Sequence, residues 1–492
     1  MLKNTWLWIF ILYALVHILT LPFNPLPWFD ETYYASIALN FIKEATFVPQ
    51  VAFHARDGKE VLTYGPVYFF LTGLSFKLFD FGLIQFRIVN LLFGFFTIAL
   101  FYKILTIITE NRYQSSTLLV FTLAFALDPF LNLSMHEGRM DITSLFFILG
   151  AFYFILKRPL SEIPNKDFVL SGICIALSIL TTPRAIVIIA GLFLVFVCQL
   201  ILQKKWKSLL AWVMPVLVFY LIWVFYAFGG IADFINYYKE LNEGKYAANV
   251  GFVGGRFYIP RHEYLLIIIS ILAFLFSLIK MGVRVITPRI IAYFVTIILY
   301  YIVVLDWGPY SVFILPLYYL ILFESFSKVT LKVNLVFYAI IVLLLFNSSF
   351  WIIKNVQIIS DIERRDYKMA EQWVSANIPP GSRVIGDPVY YYSVVRTGSE
   401  FQYYDKYNTL EYREQKHREE YDYDYMIISE QFLQTNQEAI TYYTKASELE
   451  KIAEIRTRPS HLTDAINNLK IVSGSPFGYN AIIYKRVKEI KD

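Results

Sequence analysis

Asp30 and Glu31, adjacent carboxylates in the segment PWFDETYYA, are the residues best placed to do chemistry. A carboxylate held at a surface can take the proton of an attacking hydroxyl. The plainer alternative is a helix start, with Asp30 as the N-cap of a helix beginning at Glu31. Successive helical residues point about 100° apart, so the two carboxylates cannot both face one site, and one of them is the reactive group. A second cluster, MHEGRMDIT, brings Glu137, Arg139 and Asp141 close in sequence. Two further arginines stand in apolar surroundings, Arg87 in IQFRIVNLLFG and Arg184 in TTPRA. A cation at membrane depth is costly and usually functional, and the planar guanidinium suits a phosphate. The competing account of each arginine is snorkelling to lipid headgroups. His54, His136 and His262 share no ligand spacing. They are weak metal candidates, no metal site is assigned, and a divalent ion stays an open option.

These residues need elements that hold them, and the composition says which. Of 492 residues, 57% are hydrophobic and 17% charged, against roughly 25% charged in a soluble domain. The apolar residues fall into long runs, each of the order of the ~20 residues that cross a bilayer as a helix. About eleven spans are expected, near 5–22, 85–108, 116–132, 141–157, 168–183, 185–202, 208–228, 264–280, 289–305, 310–324 and 333–353. The run from Trp6 to Leu21 has no small-residue cleavage site behind it and reads as a retained anchor. Short connections carrying Lys157, Arg158 and Lys166, then Lys204, Lys205 and Lys207, then Lys280, Arg284 and Arg289, then Lys328 and Lys332 are basic with few acids. The bias of Lys and Arg toward the inner side puts these loops and the N-terminus in the cytoplasm. Asp30, Arg87, the 137–141 cluster and Arg184 then share the outer face of the cell (inner) membrane.

Two outer connections are long. In residues 23–84, ETYYASIALNFIKE and PVYFFLTGLSFKLF have helical apolar spacing and read as interfacial amphipathic helices. Residues 229–263 are rich in glycine and read as a mobile segment with the character of a lid. The net charge of +5 gives no case for nucleic acid. Cys174 and Cys198 lie in apolar runs and read as small buried side chains.

The composition shifts near residue 353, which divides a transmembrane domain, 1–353, from a soluble α/β domain, 354–492, expected outside the cell. There DIERRDYKMAEQWVSANI reads as a helix ended by Pro379, Pro380 and Gly381. RVIGD, YDYMIIS and NAIIYKRV read as strands. No catalytic motif appears in this domain, and it reads as a partner that packs on the outer face and shapes an acceptor site.

The segments WFDETYYASIALNFIKE, YGPVYFFLTGLSFKLFDFGLIQFRIVNLLFGFF and GRMDITSLFFILGAFYF together resemble the GT-C membrane glycosyltransferases. The resemblance is to glycosyltransferase family 39 and its bacterial relatives, the protein O-mannosyltransferases and lipid A aminoarabinose transferases. It covers roughly residues 5–200 by motif and the rest by layout. It implies a mainly α, polytopic GT-C fold and an inverting transfer of a sugar from a polyprenyl-phosphate donor at the outer face. By position, Asp30 of the Asp30–Glu31 pair resembles the catalytic carboxylate. Arg87 resembles the arginine that meets the donor phosphate, and Arg139 and Asp141 resemble the second outer motif. Arg139 and Arg184 join Arg87 as expected phosphate-binding cations. One departure stands out. Tyr64 and Gly65 precede Pro66 here, where the aminoarabinose transferases carry an acid and a lysine, which speaks against that activity and against a metal held by that acid. The expected partners are the lipid-linked donor, membrane lipids and a lipid, glycan or protein acceptor. A transporter or flippase, or a scaffold acting through its outer domain, are the competing classes. No internal repeat supports the transporter, and a scaffold leaves Asp30–Glu31 unexplained.

Overall fold

A computed structural model describes residues 2–51, 60–109, 115–247, 263–303, 308–328, 335–403, 423–435, 447–469 and 477–489. The helices in the first three quarters of the chain are α1 (Leu2–Thr20), α2 (Phe29–Glu44), α3 (Pro66–Phe79), α4 (Leu83–Ile108), α5 (Ser115–Ala126), α6 (Pro129–His136), α7 (Asp141–Leu156) and α8 (Asn165–Ile179). They continue with α9 (Ala185–Leu202), α10 (Trp206–Phe228), α11 (Ile231–Ala247), α12 (Glu263–Met281), α13 (Pro288–Val303), α14 (Leu315–Lys328) and α15 (Leu335–Ser360).

Each of the eleven expected spans contains a helix, yet the helices are not equivalent. Five segments are long and apolar enough to cross a membrane: 83–108, 185–202, 206–228, 263–285 and 338–360. The pair 117–126 and 129–136 makes a sixth when taken as one span bent by 57°. The apolar segments 6–20, 141–156, 288–303 and 310–325 have 10–17 residues, less than the ~20 that span a bilayer. The bend between α5 and α6 follows from Pro129, which has no amide hydrogen to give. Asp128 caps α6 by accepting from the Phe130 amide at 2.9 Å. The carbonyls freed at the break are taken by side chains, Ala126 O by Tyr13 Oη at 2.7 Å and by Asn132 Nδ2 at 3.0 Å, and Ala124 O by Asn347 Nδ2 at 2.9 Å. A broken helix at membrane depth persists only where protein satisfies its backbone in this way.

The two helices expected within residues 23–84 are α2 and α3, packed on each other. Pro66 starts α3, where its ring-fixed φ suits the first helical position. Gly65 lies against the end of α8, and a Cβ there would sit 2.2 Å from Leu180 O. Any other residue would push α3 off α8. The expected mobile segment 229–263 is helical over α11 instead. Tyr237 Oη accepts from the Leu62 amide at 3.2 Å, and Tyr238 Oη donates to Thr63 O at 3.3 Å. The spacing of aromatic residues in FINYY, not the flanking glycines, decides its structure. Residues 248–262 lie outside the described residues.

The last part of the chain carries β1 (Arg383–Gly386), β2 (Glu400–Tyr403), β3 (Tyr425–Ser429), β4 (Ser447–Ile455) and β5 (Ala481–Glu489) in the order β2-β1-β3-β5-β4. β1 runs parallel to β2 and β3, and β5 antiparallel to β3 and β4. α16 (Tyr367–Asn377) and α17 (Tyr391–Arg396) cover one face. The three expected strands are β1, β3 and β5, and β2 and β4 join them. α15 runs without a break to Ser360 and carries the chain into this unit.

The edge strand β2 meets the membrane-proximal helices. Tyr403 Oη lies 2.6 Å from Thr32 Oγ1 and 3.1 Å from Phe29 O, the Tyr403 amide donates to Val51 O at 3.3 Å, and Gln402 Nε2 donates to Gln50 O at 2.9 Å. One apolar cluster contains Ala35, Phe69 and Phe86 from the helices and Tyr391, Phe401 and Ile427 from the sheet unit. The first turn of α2, which bears Asp30 and Glu31, is thus pinned from above.

Candidate active site

α2 begins after Trp28, whose backbone is extended and whose side chain makes no cap, so the cap expected from Asp30 is absent. Asp30 and Glu31 both lie in the first turn and diverge as helical spacing requires. Glu31 turns inward and is fully buried against Arg87 of α4. Arg87 Nε donates to Oε1 at 2.6 Å and Nη2 to Oε2 at 2.7 Å, a parallel two-bond pairing. Arg87 Nη1 donates to Leu21 O at 3.0 Å. Each nitrogen of the Arg87 guanidinium thus bonds within the protein, and the side chain is 0% exposed. The expectation that Arg87 contacts a lipid phosphate differs from this geometry. Its charge is neutralised by Glu31, and the pair ties α2 to α4 and to the end of α1.

Asp30 turns the other way and keeps 27% of its side chain exposed. Arg139 Nη1 donates to Asp30 Oδ2 at 2.5 Å, and Arg139 Nε donates to Asp141 Oδ2 at 2.7 Å. Arg139 also lies 4.7 Å from the ring centre of Tyr310 and 5.4 Å from that of Trp28. Arg184 sits over the other side of the same tyrosine neighbourhood, 3.8 Å from the Tyr310 ring centre. It forms no salt bridge with a carboxylate among the described residues, although Asp30 and Asp141 are within electrostatic reach. Tyr64, the residue that departs from the aminoarabinose transferases, accepts from Tyr34 Oη at 3.1 Å and is also within electrostatic reach of Arg184.

The loop that carries Arg139 is shaped by its neighbours. Asn90 of α4 donates through Nδ2 to Arg139 O at 2.6 Å and to Glu137 O. Gly138 passes so close to α2 and α4 that a Cβ would meet the Phe86 ring at 2.3 Å and Glu31 Cγ at 2.5 Å. The glycine lets Arg139 and the Glu31–Arg87 pair lie back to back. Burial raises the Glu137 carboxyl to about 8, with Arg139 opposing the shift and neighbouring acids adding to it. Burial also raises the Asp30 carboxyl above its ordinary range, against the pull of Arg139 and Arg184.

Several buried polar atoms around this cluster have no hydrogen-bond partner: Trp28 Nε1, Tyr68 Oη, Asn90 Oδ1, Asp141 Oδ1, Thr143 Oγ1 and Thr182 Oγ1. Buried polar groups are nearly always satisfied. So many open donors and acceptors beside one half-buried aspartate and one arginine without a salt bridge among the described residues describe a polar ligand site. Sequence reasoning missed its aromatic wall, Trp28, Tyr34, Tyr68 and Tyr310. These residues look like ordinary interfacial aromatics in the sequence, and only their convergence on two arginines sets them apart.

The histidines divide differently. His54 and His262 lie outside the described residues. His136 Nδ1 is 2.9 Å from Asn24 O, a pure acceptor, so Nδ1 carries the hydrogen and Nε2 accepts. His17 Nδ1 then donates to His136 Nε2 at 2.7 Å, and Trp351 Nε1 donates to His17 Nε2 at 3.3 Å. Both ring nitrogens of His136 are engaged in this chain of bonds joining α15, α1 and α6, which explains the residue without a metal. Among the described residues no group of three or more His, Cys, Asp or Glu is arranged to hold a metal ion.

Residues 63–226 match the family of dolichyl-phosphate-mannose-protein mannosyltransferases. The fold is similar to that of ArnT from Cupriavidus metallidurans bound to undecaprenyl phosphate, with a TM-score of 0.59 at 13% identity, covering 98% of each chain. The apo form of the same protein matches with a TM-score of 0.53 at 12% identity, again over 98% of each chain. Among curated proteins none matches. The chain thus has an ArnT-like, mostly helical GT-C membrane fold, and its residues 63–226 carry the pattern of the mannosyltransferase family.

Proposed function

We propose that the protein transfers a sugar from a polyprenyl-phosphate donor to a hydroxyl acceptor at the outer face of the cell (inner) membrane, with inversion at the anomeric carbon. The observation that carries this reading is Arg184, a largely buried guanidinium stacked on Tyr310 with no carboxylate salt bridge among the described residues, beside the half-buried Asp30. A lipid phosphate supplies the anion that Arg184 lacks, and the aromatic wall gives its chain a path from the bilayer. ArnT of C. metallidurans binds undecaprenyl phosphate on the same fold, and the donor assigned here belongs to that chemical class.

The chemistry needs little more than these groups. The acceptor oxygen attacks the anomeric carbon while its proton passes to the Asp30 carboxylate. The bond from that carbon to the phosphate oxygen breaks, and its electron pair stays on the phosphate. Arg184, with Arg139, stabilises that growing charge, the kind of preorganised electrostatic help that lowers such barriers most. Glu31 and Arg87 hold α2 in place, and Asp141 orients Arg139. Direct displacement with one base is the inverting arrangement of sugar chemistry. The cytoplasmic N-terminus and an extracytoplasmic 354–492 domain, set on a 1–353 transmembrane domain, follow from the basic inner loops. The acceptor is a lipid, a glycan or a protein.

The test is incubation of the purified chain with labelled polyprenyl-phosphate sugars and outer-membrane-leaflet or cell-envelope acceptor fractions. Release of bare polyprenyl phosphate with label on a new product is expected. Donors left intact with every fraction would overturn the reading.

A further inference from the structure

Glu263 has no part in the contacts above. It opens α12, is 2% exposed, and neither of its carboxylate oxygens has a hydrogen-bond partner. A carboxyl group taken out of water without hydrogen bonds is costly, and such an orphan needs an explanation. Its surroundings are polar yet do not satisfy it. Ser311 lies beside it without closing a bond to either oxygen. Tyr300, Tyr301 and Tyr318 are within electrostatic reach, but the Tyr301 and Tyr318 hydroxyls bond each other at 3.1 Å. Asp128, an acid within electrostatic reach, already accepts from the Phe130 amide and lies 3.2 Å from Tyr319 Oη. Glu263 thus has hydroxyls beside it and two carboxyl oxygens that no hydrogen bond engages.

Its position gives the open acceptor a purpose. The single 3-10 turn Gly308–Phe313 separates it from the arginine site. Tyr310 of that turn faces Arg139 and Arg184, and the next residue, Ser311, faces Glu263 and Tyr300. Tyr300 is in turn within electrostatic reach of Asp141.

We propose that Glu263 positions the sugar of the lipid-linked donor, its two carboxylate oxygens accepting from two neighbouring ring hydroxyls while Ser311 and Tyr300 line the ring's edge. The inference rests on the glycosyltransferase reading and adds where the transferred ring lies. A carboxylate bridged by two hydroxyls of one ring selects their spacing and orientation, so Glu263 is also a specificity determinant.

The experiment compares bare undecaprenyl phosphate with undecaprenyl phosphates bearing mannose, glucose or galactose, titrated against the purified full chain and its Glu263→Gln and Glu263→Asp variants. The wild type should bind at least one sugar-bearing lipid about 10-fold more tightly than the bare lipid, the scale of a pair of hydrogen bonds to a charged group. Glu263→Gln, which has one acceptor oxygen in place of two, should bind bare lipid as the wild type does and lose most of that preference. Glu263→Asp should keep part of it. A preference retained in Glu263→Gln overturns the inference, as does a wild type with no preference. Loss of bare-lipid binding in both variants makes Glu263 structural and also overturns it. A wild type that binds no polyprenyl phosphate at all overturns the donor reading itself, which is a separate result.

Discussion

Asp30 and Glu31 are neighbours on one helix turn, and each meets an arginine, yet the two pairs are opposites. Glu31–Arg87 is a closed pair: two parallel hydrogen bonds, no exposure, and the last guanidinium nitrogen bound to a backbone carbonyl. Asp30–Arg139 is an open one. Asp30 keeps contact with solvent, and Arg139 is shared with Asp141 and set among aromatic rings. A hundred-degree step along α2 separates a group that holds the helix in place from one that can meet a substrate. Charge in a membrane protein is thus not evidence of function until its partners are counted.

The sharpest way to break the comparison is to neutralise one acid at a time. Asp30→Asn should lower transfer by roughly 10²–10⁴, the usual cost of losing a general base, while expression and thermal stability stay near wild type. Turnover measured on purified protein checks it, and near-normal rates would remove Asp30 from the mechanism. Glu31→Gln should do the reverse. It leaves Arg87 charged and buried, which costs about 3–5 kcal/mol, so a lower melting temperature and yield are expected, with activity falling only as folded protein falls. Replacing both partners with apolar residues, Glu31→Leu with Arg87→Met, should restore much of the stability. A single Glu31→Gln variant as stable as wild type would show that the closed pair is not a strut.

Arg184 sharpens the open side. Arg184→Gln should weaken binding of bare undecaprenyl phosphate by about 10-fold or more, since hydrogen bonds to charged groups contribute about 1.5–3 kcal/mol each. Arg184→Lys should recover part of the loss, because an ammonium keeps the charge without the planar fork. Unchanged titration curves in both variants would return Arg184 to the role of a headgroup anchor.

Much of this was legible in the sequence, and the gaps have physical causes. The helical positions, α2 and α3 among them, and the strands β1, β3 and β5 follow from apolar periodicity, which is local. β2 has four residues, and its role comes from Tyr403 and Gln402 reaching Thr32 and Gln50, a contact across more than 350 positions. Glycines at 229 and 230 suggested a loop where Tyr237 and Tyr238 make a docked helix. The acidic pair and the arginines were found by type and spacing. Which arginine pairs with which acid was not, because Arg87 and Arg139 sit on separate elements and only packing decides who reaches Glu31 and who reaches Asp30. The orphaned Glu263 was invisible for the same reason, since a glutamate at a helix start is ordinary until its oxygens prove to have no partner.

The pH dependence of transfer tests the open pair in a way that no substitution does. A general base works in its ionised form, so the rate falls as pH drops through its pKa. Burial raises the Asp30 carboxyl, and Arg139 and Arg184 only partly offset the shift. The acid limb of kcat/KM should therefore bend above the ~3.9 of an ordinary aspartate. Burial pushes the Glu137 carboxyl up to about 8, so a second, weaker inflection is expected on the alkaline side. Glu137→Gln should erase that upper inflection and leave the acid limb in place. The comparison with the closed pair then follows directly, because a solvent-facing acid with a raised pKa loses activity reversibly on mild acidification, whereas Glu31 contributes to the fold. An acid limb at or below the ordinary aspartate value would mean that Arg139 and Arg184 outweigh the burial of Asp30, and the base would have to be sought elsewhere in the cluster.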